Sequence, residues 1–268
     1  MKKIKAVVSD LDGTLLDSDK NISSENLEVI HELKKRNIKF VIASGRPIVS
    51  ILLNIERWKI NDFVDYIIHT NGYGIYNYAL SKDTTFFPMK EEWCCEICNL
   101  YGQLNLCFLD YDGYKIHTTK INQTVKRVES YNHAKVEIVD LNYFKNHSFP
   151  KLMISGTEKE INFLETIYAK NHNNEKYHGF RSASDIFEFI DSRISKYNAI
   201  EKLMNSLQIS KEEIIAFGDS ANDLEMLSSL PNSIAMGNAI DSIKQVAAYV
   251  TEANDKDGIA SFIRKYII

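Results

Sequence analysis

Short apolar runs and amphipathic stretches alternate at the start of the chain. Ile4 to Ser9 is a compact run containing two valines, and Ile38–Ala43 and Tyr66–His69 repeat the pattern. Apolar runs this short, bounded by polar turns, read as strands buried on both faces. Between the first two, Leu27, Ile30 and Leu33 recur at helical spacing. Ser23 stands where a cap belongs, Glu25 falls in the first turn, and Lys34-Lys35-Arg36 close the last one. Those charges complement a helix dipole. Pro47 sits where the first turn of another helix tolerates it. Strand, helix, strand, helix, strand predicts an open parallel sheet with helices on its faces.

The pattern changes from about Asp83. A helical stretch Glu91–Tyr101 leads to the apolar run Leu104–Leu109, and Asp112-Gly113 reads as a tight hairpin turn before Tyr114–Thr118. Further short strands are expected around Val136–Val139, Lys151–Ser155 and Ile186–Ile190. Near Ser195 the first pattern returns, with helix Lys196–Leu207, strand Ile214–Phe217, helix Asn222–Ser228 and strand Ser233–Met236. The economical reading is one α/β core, residues 1–82 and 188–268, interrupted by an α+β insert, residues 83–187.

Composition narrows the class of function. Hydrophobic residues make up 44% and charged residues 25% of the 268-residue chain, an ordinary globular balance that excludes a disordered or fibrous protein. The net charge of −4 is scattered, with no basic block to suggest a nucleic-acid partner. The leading Met1-Lys2-Lys3 precedes an apolar run that Lys5 and Asp10 cut too short for a signal segment, and no run is long enough to span a membrane. The four cysteines, Cys94, Cys95, Cys98 and Cys107, lack a second ligand pair at zinc spacing and read as free thiols of a reducing cytoplasm. The oligomeric state is not readable.

Three polar clusters fall just past the carboxyl ends of predicted core strands: Asp10-Leu11-Asp12-Gly13-Thr14, Ser44-Gly45-Arg46 and Gly218-Asp219-Ser220-Ala221-Asn222-Asp223. Each alone fits a turn or a helix start. Ligands of open α/β sheets bind at that end, however, and parallel pairing would gather Asp10, Asp12, Asp219 and Asp223 into one crevice. Carboxylates so close raise one another's pKa unless a cation joins them. Hard oxygen donors beside a phosphate-sized crevice favour Mg²⁺.

These residues, with Lys196, resemble the four motifs of the haloacid dehalogenase superfamily, closest to its Cof-like phosphatases with a large cap inserted between the second and third motifs. His69-Thr70-Asn71-Gly72, Ala235-Met236-Gly237-Asn238-Ala239 and Asn254-Asp255-Lys256-Asp257-Gly258 are further words of that kind. The resemblance implies a Rossmann-like core and a cytoplasmic, Mg²⁺-dependent phosphatase acting on a small phosphorylated metabolite. It implies Asp10 as nucleophile and Asp12, protonated when substrate binds, as general acid and then base. Mg²⁺ would be held by Asp10, the main-chain carbonyl of Asp12, and Asp219, with Asp223 holding metal-bound water or orienting Lys196. Ser44, Lys196 and Asn222 would contact phosphate, and backbone N–H groups around Gly13 and Gly45 would cradle its oxygens. Lys202 is the alternative lysine.

Arg46 reads equally as a substrate contact or as the partner of a local acid, and Asn71 equally as structural or functional. The seven histidines read as surface or satisfied polar residues. In the insert, Tyr111, Tyr114, His117 and His178 are compatible with a sugar or heterocycle. The competing functions are a phosphomutase or narrowly sugar-phosphate-specific enzyme on the same scaffold, and a phosphometabolite binder without turnover.

Overall fold

A computed structural model of the chain describes residues 3–132, 134–171 and 175–268. Met1, Lys2, His133 and His172 lie outside the described residues. The chain divides into two compact units, Met1–Thr85 with Ser195–Ile268, and Phe86–Ile194.

The first unit contains β1 (Ala6–Ser9), α1 (Ser24–Lys35), β2 (Lys39–Ala43), α2 (Ile48–Ile55), β3 (Tyr66–His69), β4 (Gly74–Asn77) and β5 (Lys82–Thr85). The second contains α3 (Glu91–Tyr101), β6 (Cys107–Tyr111), β7 (Lys115–Thr118), α4 (Gln123–Asn132), β8 (Lys135–Ile138), α5 (Leu141–Lys145), β9 (Leu152–Ser155), α6 (Glu158–Asn171), β10 (Tyr177–Ala183) and β11 (Ile186–Asp191). The chain then re-enters the first unit with α7 (Lys196–Leu207), β12 (Ile214–Gly218), α8 (Leu224–Ser229), β13 (Ser233–Ala235), α9 (Asp241–Val246), β14 (Tyr249–Val250) and α10 (Gly258–Tyr266).

The first sheet runs β14-β13-β12-β1-β2-β3-β4-β5. It is parallel from β14 to β3 and antiparallel at β3–β4 and β4–β5. This is the α/β, parallel-rich core that the pattern predicts. The central strands bury both faces: Val7, Val41, Ile42, Ile67, Ile68, Ile215 and Phe217 are all fully inside. Each such side chain contributes about 1.5–3 kcal/mol on burial. Ser23 caps α1 by accepting from Asn26 N–H, and Glu25 and Lys34-Lys35 fall in its first and last turns as read.

The second sheet, β10-β11-β9-β6-β7-β8, is antiparallel except at β7–β8. Phe108, Phe144, Phe187 and Phe189 form one of its cores, and Leu109, Ile116, Val125 and Met153 another. The Asp112-Gly113 turn is the hairpin between β6 and β7, with Asp112 Oδ1 accepting from Tyr114 and Lys115 N–H. All four cysteines are free. Burial pushes the Cys94 and Cys98 thiols up to about 12, so they are inert.

The joins between units lie a few residues beyond the expected 82/83 and 187/188. Lys82–Thr85 is wholly exposed and carries no apolar alternation, yet it pairs with β4 as an edge strand. Ile186–Asp191 is one unbroken strand pairing with β9 and β10, so the second join falls after it. Among the described residues no helix is long and apolar enough to cross a membrane.

Candidate active site

The register of β1 against its neighbours brings distant segments together. Ser9 lies opposite Phe217 on β12 and Ile42 on β2, so the residues after each strand emerge side by side. Asp10 N–H donates to Phe217 O at 3.1 Å. Lys196 arrives as the first residue of α7, whose N-cap Ser195 accepts from Asn198 N–H.

Asp10, Lys196 and Asp223 form a buried chain of charge. Lys196 Nζ donates to Asp10 Oδ1 at 2.6 Å and to Asp223 Oδ1 at 2.7 Å. The other oxygen of Asp223 accepts from Asp219 and Ser220 N–H at 3.0 and 3.1 Å, shaping the acidic loop. Thr14 Oγ1 donates to Asp219 Oδ1 at 2.8 Å. One carboxylate oxygen each from Asp10, Asp219 and Asp223 lies within 4.8 Å of the others. Gly13, with φ of +79°, approaches so closely that a Cβ there would lie 2.5 Å from Asp219 Oδ2.

Asp10 and Asp223 share one ammonium with Asp219 close beside them, and the crowding shows in the proton affinities of Asp10 and Asp219. Burial raises the Asp10 pKa well above the ordinary range; Lys196 opposes the shift, and Asp223 and Asp219 add to it. Burial, then the charges of Asp223 and Asp12, push Asp219 up to about 6 against the Thr14 hydrogen bond and Lys196. For Lys196 burial favours the neutral amine, but Asp10 and Asp223 outweigh it and raise the pKa. An all-oxygen donor set with uncompensated negative charge fits a hard divalent cation.

Asp12 departs from expectation. Its side chain stands outside that acidic group, so a metal ligand from Asp12 rests on its main-chain carbonyl alone. Arg46 holds the carboxylate with two bonds of 2.7 Å, and Lys20 Nζ donates to it at 2.9 Å. Burial works to raise its pKa, but these two cations overcome it and hold Asp12 at about 2. Two charge-assisted contacts favour the anion here, so the protonation expected on substrate binding would require one of them to be released.

That geometry also places Arg46: it pairs with the local acid and lies over the Trp58 ring, 5.6 Å from its centroid. Ser44 is buried and its Oγ accepts from Arg46 N–H at 3.1 Å, keeping its own proton for another acceptor. Asn71 joins the group, since Asn222 Nδ2 donates to its Oδ1 at 3.1 Å and a Cβ on Gly45 would lie 3.0 Å from that oxygen. Lys202 is exposed on α7, whereas Lys196 is buried in the cluster.

Other contacts were not foreseen. Lys20 lies in a polar stretch with no signal, and Thr14 was part of a motif without a role. The words around Asn238 and Asn254 tie down the first loop: Asn238 Nδ2 donates to Gly13 O, and Asn254 Nδ2 to Leu16 O, both at 2.8 Å. In the second unit His117 lies 3.7 Å from Asp110, Tyr111 donates to Gly113 O, and Tyr114 is exposed.

This fold and this acidic, lysine-bridged sheet end are those of a hydrolase family: residues 7–263 match the model of the haloacid dehalogenase-like hydrolases, and the chain belongs to that family. It is an enzyme of that hydrolase class, and curated relatives carry phosphatase names. A putative phosphatase of Streptococcus pyogenes is 28% identical over 99% of both chains. The 5-amino-6-(5-phospho-D-ribitylamino)uracil phosphatase YitU of Bacillus subtilis is 27% identical over 97% of this chain and 96% of its own. A solved haloacid dehalogenase-like hydrolase from Bacteroides thetaiotaomicron is 30% identical and superposes with a TM-score of 0.85, covering 98% of this chain and 99% of that one.

Proposed function

We propose that this chain is a Mg²⁺-dependent phosphatase that hydrolyses small phosphorylated metabolites, sugar phosphates or cofactor-like phosphates, through an aspartyl-phosphate on Asp10. The observation that carries it is the group Asp10, Asp219 and Asp223, with oxygens within 4.8 Å and Lys196 bound to two of the three. Uncatalysed phosphate-monoester hydrolysis is slow enough that enzymes accelerate it up to about 10²¹-fold. A single general acid supplies only about 10²–10⁴ of that. The site therefore combines a nucleophile, fixed cations and a metal.

In this reading Lys196 occupies one oxygen of Asp10 and leaves the other to attack phosphorus, forming the acyl phosphate and releasing the alkoxide. Asp10, Asp219 and Asp223, with the Asp12 carbonyl, would hold Mg²⁺. When bound, that ion offsets repulsion between carboxylate and phosphate dianion. Ser44, Asn222 and Lys196, with the backbone around Gly13 and Gly45, bind the phosphoryl oxygens. Substrate that draws Arg46 toward its phosphate removes one cation from Asp12 and raises its proton affinity. Asp12 can then protonate the leaving oxygen and afterwards take a proton from the attacking water. The Bacillus relative's name pairs a ribityl phosphate with a heterocycle, which supports the cofactor-like class. The four free thiols support a cytoplasmic setting.

The test is phosphate release from a panel of sugar phosphates, nucleotides, pyridoxal phosphate and the ribitylaminouracil phosphate, with Mg²⁺ and with chelator. Release that needs Mg²⁺ and disappears in Asp10→Asn, with folding retained, is the expected result. Phosphoryl groups reappearing on another hydroxyl would make it a mutase. Binding without release from any substrate would make it a binder.

A further inference from the structure

Thr70 and Asn71, which follow β3, both adopt left-handed backbone, with φ of +49° and +58°. Two such residues in succession, one of them β-branched, are an outlier that persists only where its surroundings impose it. This turn is joined to three parts of the candidate site. Thr70 N–H donates to Arg46 O at 2.9 Å, and Asn71 N–H to Ser44 O at 3.0 Å. Asn222 donates to Asn71 Oδ1. Gly72 packs so tightly on the start of α7 that a Cβ there would lie 2.2 Å from Ser195 O. The turn thus spaces the Ser44–Arg46 loop, the helix carrying Lys196 and the loop carrying Asn222.

What imposes the conformation stands behind it. His69, only 3% exposed, closes β3 with Nδ1 3.2 Å from Thr70 Oγ1 and Nε2 3.0 Å from Asp83 Oδ1 on β5. A carboxylate only accepts, so Nε2 carries a proton and donates to Asp83. In the neutral ring Nδ1 is then the acceptor for the Thr70 hydroxyl. The neighbouring strand makes room for the ring, since a Cβ on Gly74 would lie 2.0 Å from Nε2. The exposed, apolar-poor β5 is otherwise an unexplained addition to the sheet; its placement delivers Asp83.

We infer that His69 and Asp83 are positioning residues: Asp83 fixes the imidazole, the imidazole fixes Thr70, and the strained turn so held sets the spacing of Ser44, Asn222 and Lys196 around the phosphate. Their effect on turnover rests on the function proposed above; their effect on the turn does not. None of the three touches the reacting atoms.

The test combines kinetics with hydrogen exchange. Asp83 lies on the exposed edge strand β5 with its carboxylate turned to His69, so its truncation leaves the core intact. With an aryl phosphate as substrate, Asp83→Ala should lower kcat between about 10- and 100-fold while KM stays within about twofold, the signature of misplaced groups. Asp83→Asn keeps an acceptor for Nε2 and should recover most of the rate. Exchange at the Thr70 and Asn71 amides should accelerate in Asp83→Ala while β1 and β12 stay protected. Wild-type kcat in Asp83→Ala, a loss confined to KM, or unchanged exchange at the turn would overturn the inference. So would faster exchange throughout the sheet, which would make Asp83 a general support of the fold. If the wild-type chain releases no phosphate, the functional reading fails and the exchange result alone decides whether His69 and Asp83 hold the turn.

Discussion

At the scale of single residues, Lys196 sets the electrostatic balance. Its ammonium is fully buried between Asp10 and Asp223, and those carboxylates keep it charged. Removing one partner of a buried pair leaves the others uncompensated, at a cost of about 3–5 kcal/mol. Lys196→Met should therefore lower stability by that range in denaturant titrations at pH 7. The loss should be smaller at pH 5, where the stranded carboxylates protonate; equal losses at both would argue against uncompensated charge as the cause. Arg46 governs Asp12 in the same language. Asp12, depressed to about 2, contributes stability that is present above the ordinary carboxylate range and fades as pH falls toward 2. Arg46→Gln removes the larger of its two cationic partners, so the Asp12 carboxyl should titrate closer to about 3.9 in a carbon-13 NMR titration. A midpoint that stays near 2 would assign the depression to Lys20 instead. Asp10, Asp219 and Asp223 were legible because acidic residues clustered in short motifs at strand ends stand out, whereas Lys196, at the start of a helix, was legible only through the family resemblance. Lys20 and His69 were not, because nothing near them in the chain announces the partner that each meets.

At the scale of elements, sequence reading worked where burial imposes a pattern. β1, β2, β3 and β12 stand within a residue or two of the apolar runs, and α1 carries the cap and end charges expected of it. It failed where hydrogen bonding alone makes the element. β4 and β5 form an edge hairpin whose outer strand, Lys-Asp-Thr-Thr, has no buried face. β10 is mostly half-buried and lacks a clean alternation, so no strand is expected there from the pattern. The helix expected from Asn222 begins instead with a 3₁₀ turn, Ala221–Asp223, because Ser220 and Asp223 close a capping box around it. Capping also bears on the site through α7. Ser195 is the N-cap of that helix and Lys196 its first residue, so a frayed first turn would release the cation. Ser195→Ala should cost about 1 kcal/mol in thermal or chemical unfolding. It should reduce phosphate release more than Ser23→Ala, an equivalent cap deletion on α1. Equal activity in the two variants would separate capping from catalysis.

At the scale of the whole molecule, the sheet end is a liability until a cation occupies it. Folding raises Asp219 to about 6 and Asp10 in the same direction. A carboxyl that binds its proton more tightly folded than unfolded adds stability at low pH, and that contribution disappears as pH rises through the folded value. The metal-free chain should therefore lose stability relative to Asp219→Asn between about pH 4 and pH 7, by no more than about 3 kcal/mol and by less after solvent screening. Mg²⁺ reverses the balance by binding the folded form alone, adding about 2.7 kcal/mol at a hundred times its dissociation constant. Protons compete for the same oxygens, so the gain should be larger at pH 8 than at pH 5. Melting curves of wild type and Asp219→Asn, with chelator and with Mg²⁺ at both pH values, separate the two terms. In chelator at pH 8 the variant should melt at or above wild type; in Mg²⁺ the order should invert, because only wild type keeps the full donor set. A Mg²⁺ gain that is the same at both pH values, or that survives intact in Asp219→Asn, would place the ion away from the acidic group.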